Sequence, residues 1–138
     1  MATNTKGTSA RQYREQQVHY LRFLVNYNDA GIAAGVKKQT LPKGAIIVGT
    51  DVHNATAFNA GTTNVLTVGG GTNFNEIVAA GDVDETATGL TQNIKPTSTF
   101  LGPLAADTDV YVKYTQTGTA ATAGKATVIV KYVVDNDL

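Results

Sequence analysis

Two stretches late in the chain, "DVYVKYTQTG" (Asp109 to Gly118) and "KATVIVKYVV" (Lys125 to Val134), alternate apolar and polar side chains with a period of two. Successive side chains of an extended strand point to opposite faces, so this alternation predicts strands with one buried face and one wet face. A third stretch, "VHYLRFLVNY" from Val18 to Tyr27, sets Leu21, Phe23, Val25 and Tyr27 against Arg22, Leu24 and Asn26. A helix from Ala10 to Val25 competes here, because Val18, Leu21 and Val25 also share a helical face. The β-branched and aromatic content favours the strand. Strands so patterned cannot stand alone, and the chain must supply partners for them.

The rest of the sequence supplies short extended segments with Gly, Asn and Thr turns between them. Ile32 to Thr40 is a weaker strand ending in "LPKG", where Pro42 suits the second position of a type I turn and Gly44 the fourth. "AIIVGTDVHNATAF" is a long strand in which Gly49 marks a candidate bulge. "NAGTTN" is expected to close a hairpin onto "VLTVGG", and "FNEIVAAG" is a candidate helical turn. "DVDETATGLTQNI" is a polar connection with a short strand near its end, and "STFLGPLA" is a further strand. "TGTAATAG" joins the two clearest strands. With about eight short strands and almost no helix, the expected class is all-β, an antiparallel β-sandwich of jelly-roll-like form. "TAFNAGTTNVLTV" and "TQTGTAATAGKATVIV" are both strand, small neutral loop, strand, and are expected to be similar hairpins at one end of the sandwich.

Residues 1–15, "MATNTKGTSARQYRE", are polar, and Lys6, Arg11 and Arg14 outnumber Glu15. Such a segment buries too little to order itself, so it is expected to be an extended N-terminal arm, with residues 16–138 as the sandwich domain. A plain tail, an arm that orders on a neighbouring subunit, and a helix capped by Ser9 and Gln12 all stay open.

A chain of 138 residues makes one domain and can bury about two-thirds of its surface without staples. Without cysteine, disulfides and thiolate metal sites are excluded, and the redox compartment is unconstrained. Charged residues are 16% and the net charge is +0. A surface with so little charge resists association weakly, which suits a protein that functions in an assembly. It argues against nucleic-acid binding, which draws on a basic face. No apolar run is long enough to span a membrane and "MATNTKGTSA" lacks the core of a secretory signal, so production in the cytoplasm is expected.

The reactive side chains form no convincing constellation. His19 and His53 stand in strands without metal-ligand or base spacing. Ser9 and Ser98 lie outside any G-x-S-x-G motif. Asp82, Asp84 and Glu85 sit close enough for Ca²⁺, yet Thr86 and Ala87 occupy positions where the loop motif needs other residues, and a solvated acidic loop is simpler. Asp107 and Asp109 read as turn formers. In "VGGGTNF" Phe74 replaces the last glycine of a dinucleotide motif. Asn54-Ala55-Thr56 matches a glycosylation sequon by chance, given no secretory signal. No enzyme activity, metal or cofactor is expected. The stretch Thr56 to Asn73 is wholly uncharged, which favours packing over chemistry.

The ordered set "LPKGA", "TAFNAGTTN" with "LTVG", the acidic "AAGDVD" loop, and "TGTAATAGKA" with its closing strand resembles small virion proteins of tailed bacteriophages and prophages. The resemblance runs over roughly residues 25 to 134. It implies a structural head protein of the decoration or cement type, a β-sandwich that sits on the capsid lattice as a trimer. No catalytic residue is carried over. The expected partners are the major capsid protein and further copies of the chain, on the capsid surface of a virion assembled in the host cytoplasm. Arg11, Tyr13 and Arg14 of the arm are the expected capsid contacts. Phe58, Asn59, Thr62, Asn64, Thr117, Thr119 and Thr122 at the loop tips are the expected subunit-packing residues. Two rival readings are a fibre-associated carbohydrate-binding module, using Tyr27, Phe74, Phe100 or Tyr114, and a head–tail connector or tail component.

Overall fold

In the computed structural model, which describes residues 17–134, the strands are β1 (His19–Asn26), β2 (Val36–Leu41), β3 (Ile46–Thr56), β4 (Thr63–Gly69), β5 (Gly89–Ile94), β6 (Thr108–Thr117) and β7 (Lys125–Val133). They form two sheets, one ordered β1-β7-β3-β5 and the other β2-β6-β4. Every pairing is antiparallel, and the first strands pair with the last, β1 with β7 and β2 with β6. This winding, with the chain alternating between sheets, is that of a jelly roll. The place beside β4 where an eighth strand would lie holds a single bridge, Val68 to Val78. The all-β sandwich expected from the alternation is therefore what forms.

The alternation translates directly into the core. Leu21, Phe23 and Val25 of β1 face inward opposite Val130, Val128 and Ala126 of β7, and all six are buried. Val110, Val112 and Tyr114 of β6 are buried in the other sheet with Leu66 and Val68 of β4. The sheets thus bring two apolar faces together, and burial of these side chains, at about 1.5–3 kcal/mol each, is the main stabilising term. β3 shifts register between Ile47 and Gly49 against β7, a bulge at the expected glycine.

Several local expectations differ from the structure. The sequence "LPKG" turns one residue later than expected: the Ala45 N–H donates to the Pro42 carbonyl, so Pro42 is the first position and Gly44 the third. Gly44 has φ +83°, the left-handed value that the third position of a type II turn demands. Residues 32–35 form turns and not the start of β2. "STFLGPLA" is no strand; Ser98–Phe100 is one 3-10 turn that buries Phe100. "FNEIVAAG" contains no helix, because Ile77 and Val78 extend to meet Val68.

Glu76 explains that last difference. Its side chain is 7% exposed, and its Oε2 accepts the N–H groups of Gly70 at 3.0 Å and Asn75 at 3.1 Å. These donors would otherwise be stranded as the chain leaves β4. Glu76→Ala is expected to cost about 1–3 kcal/mol of unfolding free energy, and Glu76→Gln, which keeps an acceptor, clearly less. Urea denaturation of the two variants checks this.

Candidate interaction surface

The connections after β3 and before β7 do not close hairpins. β3 and β4 belong to opposite sheets, as do β6 and β7, so residues 57–62 and 118–124 each cross from one sheet to the other. The two crossings lie side by side at one end of the sandwich. Gly61 N–H donates to the Thr119 carbonyl at 2.8 Å, and Thr62 N–H to the Thr117 carbonyl at 3.0 Å. Asn59 Oδ1 accepts the Thr122 and Ala123 N–H groups at 2.8 and 2.9 Å, while its Nδ2 donates to Thr122 Oγ1 at 2.9 Å. Asn64 Oδ1 accepts from Ala60 N–H at 2.9 Å and from the Tyr114 hydroxyl at 2.6 Å.

This geometry accounts for the uncharged composition of the segment. The backbones approach so closely that a Cβ on Gly61 would stand 2.8 Å from Thr119 N. Gly124 has φ +148°, and a Cβ there would overlap the Phe58 ring. The Phe58 ring, 1% exposed, packs at 4.8 Å from the Tyr114 ring and supports both crossings from beneath.

The seven expected packing residues are thus brought together at one end, but they are not equivalent. Phe58 is a correction, since its side chain is buried in its own chain and cannot reach a neighbour. Asn64 is half-buried and bonded internally, whereas Asn59, Thr62, Thr117, Thr119 and Thr122 are exposed. Thr63 and Thr117 share a hydroxyl–hydroxyl bond of 2.6 Å. Arg11, Tyr13 and Arg14 lie outside the described residues.

The titratable groups are dispersed among separate tasks. Asp82 accepts the Ala79 N–H, and Asp84 accepts both the N–H and the hydroxyl of Thr86. Glu85 turns inward, so the three acidic residues do not converge. Asp107 accepts the Lys43 N–H. The Thr40 hydroxyl and then Lys37 hold the Asp109 carboxyl below its usual range. His19 stacks on Tyr132 at 5.9 Å. Among the described residues no three His, Asp or Glu side chains are grouped to hold a metal. Asn54 of the sequon is 3% exposed, and its Nδ2 donates to the Asp84 and Ala87 carbonyls, which hides it from modification. Of the rings a sugar site could use, Phe100 and Tyr114 are buried, Tyr27 packs against the core and Phe74 packs edge-on to Tyr111 at 5.5 Å.

The two sheets differ on their outer faces. Phe74 lies over the outside of β2-β6-β4, with Lys113 Nζ 5.7 Å from its ring centre. The outside of β1-β7-β3-β5 carries exposed apolar groups instead. One row crosses all four strands as Leu24, Thr127, His53 and Leu90. Beyond Ile129 and an Asp51–Lys131 ion pair of 3.4 Å come Tyr20, Val18, Val133, Ile46 and Val48. Among the described residues, six of the seven large exposed apolar side chains lie here, from Ile46 at 38% to Tyr20 at 66% exposed, and Leu101 is the exception. Arg22, opposite Ile129, and the Asp51–Lys131 pair divide these side chains into two clusters, and exposed apolar clusters edged by polar groups are the mark of a surface that meets another body. The sequence held a signal for it: Leu24 sits in the wet phase of its strand.

No family model matches the sequence, and neither does any curated protein. Solved structures do match the fold. A chain in the capsid asymmetric unit of cyanophage Pam1 superposes with a TM-score of 0.66 at 16% identity, covering 97% of this chain and 96% of that one. A chain from the capsid of Ralstonia phage GP4 gives 0.59 at 22% identity, over 97% and 89%. A chain from the acid-stable capsid of the Helicobacter pylori bacteriophage KHP30 gives 0.57 at 17% identity, over 83% and 86%. At these identities the similarity establishes a shared fold.

Proposed function

We propose that the chain is a bacteriophage capsid decoration (cement) protein, a homotrimer that binds the major capsid protein on the surface of the virion and stabilises its lattice. The observation that carries this reading is the set of six exposed apolar side chains on the outer face of β1-β7-β3-β5, on a fold shared with chains of three phage capsids. Here that face meets the shell. The arm, through Arg11, Tyr13 and Arg14, extends the contact to a second capsid subunit. The exposed loop residues Asn59, Thr62, Thr117, Thr119 and Thr122 pack around the threefold axis, where small neutral side chains let backbones come close. A threefold contact is heterologous, so this end fits a different surface of the next copy. Three simultaneous attachments multiply a modest single-site affinity by about 10²–10⁴. Assembly takes place in the host cytoplasm, and the role is structural rather than catalytic.

The test is addition of purified protein to undecorated particles, followed by imaging of the shell and measurement of the free protein's mass in solution. Deleting residues 1–14 is expected to leave a folded trimer that no longer decorates shells. A truncated protein that still binds overturns the role of the arm, and a strictly monomeric protein that never binds shells overturns the reading as a whole.

A further inference from the structure

Glu85 is out of place in the loop that carries it. Asp82 and Asp84 on either side are exposed, but Glu85 is 6% exposed, with its side chain turned into the loop end of the sandwich. Its Oε1 accepts the Leu66 N–H of β4 at 2.8 Å, and its own carbonyl accepts the Phe58 N–H at 2.8 Å. One residue therefore ties three pieces together: its own loop, β4, and the start of the 57–62 crossing. Phe58 in turn supports Tyr114, whose hydroxyl holds Asn64.

The surroundings of this carboxyl give it no countercharge. The 57–62 crossing and β4 contain no ionisable side chain. β6 presents Tyr114, whose hydroxyl is pushed up by burial and then by the charge of Glu85. The neighbouring Asp84 adds a like charge. Asp51 of β3 is paired with Lys131 on the outer face, where His53 also lies. Among the described residues Glu85 makes no ion pair.

We propose that Glu85 is a proton-operated latch: protonated, it stays inside and holds the 57–62 crossing and its own loop against β4, and ionised, it favours an opened form in which the carboxylate reaches water. An ionised carboxylate retained inside would be left with neutral backbone N–H groups and no cation, a costly arrangement that opening relieves. Burial, partly opposed by the bonds from backbone N–H groups, sets the Glu85 carboxyl above its ordinary range. The closed state thus keeps its proton where an exposed carboxyl, near about pH 4.3, has lost it. The contribution to closure is complete below that ordinary value and is lost as pH rises through the raised one.

Native-state hydrogen exchange at the Phe58 and Leu66 amides between pH 4.5 and 8, corrected for intrinsic exchange, tests this on the whole chain. The opening constant is expected to rise with pH, by at most about tenfold per unit for one proton, while amides in the middle of β7 show no such slope. Glu85→Gln, which keeps an acceptor for Leu66, is expected to abolish the slope. Asp84→Asn removes the neighbouring charge that helps raise the closed-state value and is expected to end the rise at lower pH. A pH-independent opening constant in the unaltered protein, or an unchanged slope in Glu85→Gln, overturns the proposal.

Discussion

Replacing Phe58 with alanine is expected to lower the unfolding free energy by about 3–5 kcal/mol, the range for deleting a fully buried aromatic side chain. The size follows from what the ring holds in place. It is 1% exposed and lies against Tyr114, and Gly124 lacks a side chain in order to admit it. Two chain crossings rest on it, joined to each other by the Asn59, Gly61 and Thr62 hydrogen bonds. Removing the ring leaves a cavity beneath loops that cannot collapse into it without breaking those bonds. Phe58→Leu refills most of the volume and is expected to recover more than half of the loss. Urea denaturation measures both. A loss under about 1 kcal/mol for the alanine variant would show that the crossings support themselves.

Introducing Tyr20→Glu and Leu24→Glu together is expected to abolish decoration of phage shells while leaving the melting temperature nearly unchanged. Both side chains are exposed on the outside of β1, at 66% and 40%, so the isolated fold depends little on them. At a contact with the shell they would bury two added carboxylates, whose desolvation Arg22 and Lys131 on the same face offset only in part. A loss of about 1.4 kcal/mol per attachment is tenfold at one site, and across three attachments it compounds to about a thousandfold. Leu101→Glu is the control, since Leu101 is as exposed, at 64%, but lies off that face. Cosedimentation with undecorated particles reads the outcome. Equal binding by the double variant and the control would remove the apolar face from the proposed contact.

These two variants probe opposite kinds of legibility. The apolar face was written in the sequence as residues out of phase: Leu24 among the polar positions of β1, and Ile46 and Val48 either side of Ile47. Alternation gives the phase, and an apolar residue in the wet phase stands out against it. Phe58 was legible as a loop-tip aromatic, and its burial was not. Nothing nearby in sequence marks it as internal, because its neighbours Tyr114, Glu85 and Gly124 are brought to it by strands that pair far apart along the chain. Glu85 was hidden for the same reason. Beside Asp82 and Asp84 it reads as part of a solvated acidic run, and only the Leu66 N–H at the end of a long-range path turns it inward.

Period-two alternation in β1, β6 and β7 is a local property, and it fixes the all-β class and which side chains go inside whatever the strands pair with. Small neutral residues at 57–62 and 118–124 also determined that the chain turns there. Whether each turn returns to its own sheet or crosses to the facing one was decided only in the tertiary structure. Both paths need the same permissive residues, and the choice between them lies in burying Phe58 against Tyr114 and matching two loops to each other. Those contacts join residues some sixty positions apart, as Asn59 and Thr122 are, and no local pattern records them.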